Sequence, residues 1–508
     1  MKPQQLSNGS AAVEQALRGH AHCARVNLPT LAAIAVALAS SVVLTLGGCA
    51  SSAGIAPGAR PIAPAAVGLD TTAATPALAA DWWQAFGDTG LDDLIERALA
   101  GNPSLKVAQA RLQRAQAVVA GAQAADGPQV NGSLDATRQR FSATSIYPPP
   151  LGGGIYTLAT AQLGASWEFD FFGRNRAAIE AAVGAQRAAQ ADLQAARIVL
   201  ASNVARTYVQ LGRLFAQRDV AERSLKQRDE ILGLIKQRVQ GGLDTTVELR
   251  QGEGALPESR QQIELLDEQI ALTRHALAAL TAQAPNALDA LVVPLTSVQA
   301  VPLPEAVPAD LLGRRADISA ARWRVEAATS DMKSAKAQFY PNVNLSAFVG
   351  LSSIGLDRLF KSASEQYGAG PAIRLPIFDS GRLRANLRGK TADLDAAIES
   401  YNGAVLEAVH EVADQISSVR AVERQQAQQA QAQAAAESAY DLATQRYKAG
   451  LSTYLTVLNA EASVLNQRRL AVDLKARALD TQIGLARALG GGYAADPEPA
   501  AYVAQARR

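Results

Sequence analysis

Cysteine is nearly missing. Of two in 508 residues, Cys23 lies inside an N-terminal leader and Cys49 directly follows it, so nothing beyond residue 49 offers a thiol for a disulfide or a nucleophile. Histidine is as sparse. Beyond the leader only His275 and His410 remain, each on a helical pattern and without metal-ligand spacing. Gly152-Gly153-Gly154 lacks the Lys-Ser/Thr that a phosphate loop needs. The expectation is a chain with no catalytic residue, no metal site and no cofactor. Surplus charge is missing too. The formal +2 resides in residues 1–48, where Lys2, Arg18 and Arg25 outnumber Glu14, and a neutral remainder gives no reason to expect nucleic acid. Aromatics are only 5%, while alanine and glutamine are abundant, a composition that suits long packed helices. The apolar run at 31–46 is too short and alanine-rich for a convincing membrane-spanning helix.

With Arg18 and Arg25 ahead of it, that run reads as the apolar part of a secretory signal. It ends in Leu46-Gly47-Gly48-Cys49, which resembles the bacterial lipoprotein box. The resemblance implies that residues 1–48 are removed, that Cys49 is acylated, and that Ala50 permits sorting to the outer membrane. Residues 49–80, rich in Ala, Pro, Thr and Gly, read as a flexible tether.

The most informative stretch is Ala161 to Arg174. Ala161, Leu163, Ala165, Trp167, Phe169 and Phe171 alternate with Gln162, Gly164, Ser166, Glu168 and Asp170, so a strand here is apolar on one face and polar on the other. Glu168 and Asp170 could suggest acid/base work; a solvated pore lining is the better reading. With only Gly173 as punctuation, a helical pattern then runs to about Gln240, roughly 100 Å. The strand fits either a sandwich beside a long helix or a membrane barrel running into a tunnel.

The same order returns later in the chain. Shifts of about 213 and 208 positions superpose Pro128 on Pro341, Gly173-Arg174 on Gly381-Arg382, and Gly242-Leu243 on Gly450-Leu451. A duplicated strand–strand–helix–helix unit follows. The first repeat spans 81–283, with strands 129–140 and 156–172 and tunnel helices 173–283. The second spans 316–490, with strands 342–352 and 366–378 and tunnel helices 381–490. Residues 284–315 link them and 491–508 form a tail. Pro371 and Pro376 weaken the last strand. Stripes such as Val204, Tyr208, Leu211 or Leu394, Ile398, Tyr401, Val405, Val409 and Val412 step by three or four, as in helices packed side by side with wet outer faces. Each long helix ends in a glycine turn, Gly241-Gly242 or Gly450. Four strands cannot close a barrel, and open edges cannot face lipid. If the apolar faces meet lipid, three copies would give twelve strands.

The box at Cys49, Asp81-Trp82-Trp83, Trp167-Glu168-Phe169-Asp170-Phe171-Phe172-Gly173-Arg174, Leu312-Gly313-Arg314-Arg315-Ala316-Asp317-Ile318, Phe339-Tyr340-Pro341, Leu375-Pro376-Ile377-Phe378-Asp379-Ser380-Gly381-Arg382 and the two tips come in an order that resembles the TolC-like outer-membrane factors, most closely their OprM/NodT-type lipoprotein branch. Ala316 departs from the proline usual there. The resemblance implies an α+β membrane protein: a homotrimer with a 12-stranded β-barrel in the outer membrane, continuous with a periplasmic α-helical tunnel. Residues 284–315 and both termini would form an equatorial collar. It implies the exit duct of a tripartite efflux pump, partnered by a periplasmic adaptor and an inner-membrane pump of the RND type. The alternatives are the duct of a type I protein secretion system and a pore-less lipid-anchored scaffold. In the barrel, Glu168, Asp170 and Arg374 are expected to face the lumen. At the periplasmic gate the resemblance puts Leu455 at an apolar constriction and Asn459 where relatives often carry aspartate, and makes Tyr447 and Glu248 candidates for the contacts that hold the tips closed. A seam role for Leu455 and a solvated one for Asn459 stay open beside that.

Overall fold

The computed structural model describes residues 51–68, 78–144, 146–298 and 311–493. The leader, Cys49 and part of the linker and tail lie outside the described residues.

Two short helices open the folded part. Asp88 caps α1 (Thr89–Gly101) by accepting from the Gly90 and Leu91 N–H groups, and Leu91, Leu94, Ile95 and Ala98 are buried with Trp82, Trp83 and Phe86. Asn102 ends α1 and caps α2 (Pro103–Asp126), whose first residue is proline, the position where a missing N–H costs nothing.

The sheet is a four-stranded antiparallel meander of β1 (Gln129–Arg140), β2 (Ile155–Phe169), β3 (Asn342–Ile354) and β4 (Glu365–Arg374), in chain order, with β1 and β4 as edges. Its register sorts the side chains. Leu163 stands opposite Gly132 and Val349, Trp167 opposite Leu345, and Phe169 opposite Val343, so the apolar set shares one face. Gln162 stands opposite Gly350 and Glu168 opposite Asn344 on the other. Two strands stop short of expectation. β2 ends at Phe169 rather than 172, because Asp170 turns away to cap the next helix. β4 ends at Arg374 rather than 378, before Pro376, which cannot donate to a ladder.

The duplication is metric. Helices α3 (Arg174–Gln240) and α6 (Arg382–Lys448) each have 67 residues; α4 (Thr246–Leu280) and α7 (Tyr454–Ala488) each have 35. The glutamine-rich run at 425–436 stays helical within α6. α5 (Ala316–Ala337) packs against both long helices. Its contact with α3 is close: a Cβ on Gly184 would stand 3.0 Å from that of Ala327, so glycine is what admits the approach. Ala316 is the first residue of α5, a position that suits proline or alanine alike. The N-cap before it, Arg315, reaches Asp317 and Glu411 at 2.7 Å each and the Ala488 carbonyl at 3.0 Å, tying α5 to α6 and α7.

The tether reading needs correcting. Residues 51–68 are a strap laid along α6. Asp395 accepts from the Gly58 and Ala59 N–H groups at 2.9 and 3.0 Å, and Asn402 accepts from Ile62 and donates to the Arg60 carbonyl. Arg384 donates to the carbonyls of Ser51 and Ala53. Ile62 and Val67 then pack onto Val405, Ala408 and Leu312. Composition suggested a linker, but side chains more than 330 positions away satisfy the strap's backbone.

Candidate functional site

The tip far from the sheet is where the two hairpins meet. α3 ends at Gly241-Gly242 with φ +69° at Gly242, and Leu243 N–H returns to the Arg238 carbonyl at 2.8 Å. The second tip repeats this with Gly450 at φ +76° and Leu451 N–H to the Arg446 carbonyl at 2.8 Å. Both turns need a left-handed residue, which glycine supplies without strain.

A polar lock joins the tips. Arg238 grips Asp244 with two bonds, Nε–Oδ2 at 2.9 Å and Nη2–Oδ1 at 3.2 Å, and donates from Nη1 to the Tyr447 carbonyl at 3.1 Å. The Tyr447 hydroxyl donates to the same Asp244 carboxylate, and the guanidinium lies 4.6 Å over its ring. Tyr447 is fully buried beside Ile235, Tyr440 and Tyr454. Burial alone would raise the Asp244 pKa; the bonds from Arg238 and Tyr447 outweigh it and hold the carboxyl below its usual value. The same burial and the facing carboxylate push the Tyr447 phenol up.

Of the expected gate residues, Tyr447 is in the lock and Glu248 is not. Glu248 closes a capping box on its own helix, accepting from Thr245 N–H at 2.9 Å. Arg238 and Asp244 make the contacts with Tyr447 between the tips. Leu455 and Asn459 share the exposed face of α7, opposite the buried Tyr454 and Val457, and Leu455 is 57% exposed in the single chain.

At the other end, Glu168 lies on the polar strand face and pairs with Arg174 at 2.5 Å. Arg374, opposite Asn342, shares that face. Asp170 is not on it. It lies past the strand, and its carboxylate accepts from the Arg176 N–H at 2.8 Å, capping α3 as Asp379 caps α6 through the Gly381 and Leu383 N–H groups. Cys49 lies outside the described residues. No described helix is long and apolar enough to cross a membrane.

Comparisons with known proteins converge. The family model described as "Outer membrane efflux protein" matches residues 94–283 and again 307–491. The chain is 36% identical over 420 residues to the multidrug resistance outer membrane protein MdtQ of Escherichia coli O6:H1, covering 81% of this chain and 88% of that protein. It is 39% identical over 365 residues to the fusaric acid resistance protein FusA of Burkholderia cepacia, covering 69% and 68%. Among solved structures it superposes on the outer membrane protein VceC of Vibrio cholerae with a TM-score of 0.76 and 38% identity, covering 81% of this chain and 99% of that one.

Proposed function

This chain belongs to the outer membrane efflux protein family, and we propose that its tip lock is the resting gate of an efflux duct for small toxic organic compounds. Three copies close one barrel from their four-stranded sheets in the outer membrane, and their long helices form a tunnel through the periplasm. The assembly is the exit duct of a tripartite pump, fed by a periplasmic adaptor and an inner-membrane transporter. The apolar face of Leu163, Trp167 and Phe169 meets lipid, and strands of ten to fifteen residues suit that task when tilted.

The transporter is of the RND type. Cys49 carries the lipid. The cargo is the class that relatives are named for resisting, multiple drugs and fusaric acid. The gate is a lock plus a ring: Arg238, Asp244 and Tyr447 hold the hairpins of one chain together, and Leu455, repeated three times, closes the bore by packing and dewetting. The observation that carries the gate is the burial of the lock at the tunnel's far end, above an exposed leucine on the same tip. Asn459, one helical turn from Leu455, leaves the ring uncharged.

Single-channel recording in planar bilayers tests this. Leu455→Ser is expected to raise conductance and to sensitise cells to large antibiotics. Asn459→Asp is expected to add a cation preference, strongest at low salt, since screening hides charges beyond about 10 Å at 0.1 M. Unchanged conductance in Leu455→Ser at normal trimer yield rejects the ring.

A further inference from the structure

A cavity of about 520 Å³ sits where the sheet meets the helices. Arg174, Arg374 and Arg382 line it, and its wall includes Phe169, Phe172 and Tyr340. Phe172 and Tyr340 are stacked at 4.9 Å. Two acids also reach it, and both are engaged. Glu168 is taken by Arg174, and Asp170 by the Arg176 N–H. Among the described residues no ion pair is found for Arg374 or Arg382.

The duplication built this charge twice. Gly173-Arg174-Asn175-Arg176-Ala177 and Gly381-Arg382-Leu383-Arg384-Ala385 put arginine at the first and third positions of α3 and α6. A helix N-terminus is positive already, so cations there are electrostatically opposed. The caps Asp170 and Asp379 offset part of that; among the residues that line the cavity, three arginines stand against the two carboxylates Glu168 and Asp170. Arg374 brings a third cation from the polar strand face.

We propose that this cavity binds aromatic carboxylates, and that the duct prefers organic anions over cations at the foot of its barrel. The proposal rests on the duct reading above. A guanidinium fork matches a carboxylate with two parallel bonds, and a stacked aromatic pair offers its face and edge to a planar ring. The volume suits a drug-sized acid. Trimer symmetry repeats the site three times around the foot of the barrel, with Arg374 reaching it from the lumen face. The neutral Asn459 adds no opposing charge downstream of the pump.

The test uses the full-length trimer in planar bilayers under a KCl gradient, with benzoate and benzylammonium as matched blockers. The wild type is expected to show a reversal potential on the chloride side and block by benzoate but not by benzylammonium. Arg374→Gln with Arg382→Gln should raise the half-blocking benzoate concentration by about tenfold or more, the loss of charged hydrogen bonds. Arg374→Lys with Arg382→Lys should keep the chloride preference, which separates charge from folding. A cation-side potential in the wild type, equal block by both probes, or an unchanged half-block in the glutamine double variant overturns the proposal while leaving the duct intact. Trimers that carry no current even with the tip lock removed by Asp244→Asn reject the duct and this site with it.

Discussion

Asp244→Asn should unlock the tip. The side chains of Arg238 and Asp244 are 11% and 9% exposed, so the pair is nearly dry. Removing the carboxylate leaves a buried guanidinium without its counter-charge, which costs about 3–5 kcal/mol per chain in the locked state. Tyr447→Phe is milder. It removes one donor and leaves both arginine bonds, a loss of about 1.5 kcal/mol, or roughly tenfold in the closed-to-open ratio. The two variants should therefore rank: long openings in Asp244→Asn, shorter ones in Tyr447→Phe, and the briefest and rarest, still measurable, in the wild type. Acid tests the same pair. A depressed carboxyl contributes fully above its ordinary pKa of 3.8 and loses that contribution only as pH falls through the lower, folded value. The lock should thus hold from neutral pH down to 3.8 and weaken below it. Bilayer recording and uptake of a large antibiotic read both. Closed-state conductance equal to wild type in both variants, at normal trimer yield, would refute the energetic argument.

Three further outcomes are expected. Leu163→Arg places a charge on the lipid face at a cost of about 2–4 kcal/mol near mid-membrane, so native gels should show far less trimer than for Ser166→Arg on the polar face. Intact-mass analysis of the mature protein should show acylated Cys49 as its first residue, and Cys49→Ala should impair processing; an unmodified chain starting elsewhere rejects the anchor. Asp395→Ala with Asn402→Ala strips the strap of four backbone bonds, so limited proteolysis within 51–68 should accelerate by about tenfold or more. Equal cleavage rates would mean that its apolar end, Ile62 and Val67, suffices.

Periodic features were legible in the sequence because their causes are local. The strand 129–140, the end of α3 at Gln240 and the unbroken helix through the glutamine run all follow from alternation, glycine stops and missing breakers. The lock was not legible, because Asp244 and Tyr447 lie 203 positions apart and no local pattern pairs them. The engagement of Glu248 was legible locally: Thr245-Thr246-Val247-Glu248 is itself a capping-box pattern, which uses the carboxylate on its own helix. Asp170 is likewise engaged locally. Alternation continued past the strand into a residue whose work is to start the next helix. The strap escaped because its order comes from Asp395 and Asn402, not from its own composition.

The matched lengths of 67 and 35 residues in the two halves carry an architectural consequence. Three chains supply six columns of one height, so the rim that meets the rest of the pump is level although each chain builds it from unlike sequences. Deleting seven residues, about 10 Å of rise, from both arms of one hairpin would shorten every second column and leave a crenellated mouth. The same cut made in both hairpins would lower the whole colonnade and keep its rim flat. Length in such a tube is inherited in pairs: the single cut should abolish export, while the double cut should preserve the seal and shorten only the reach.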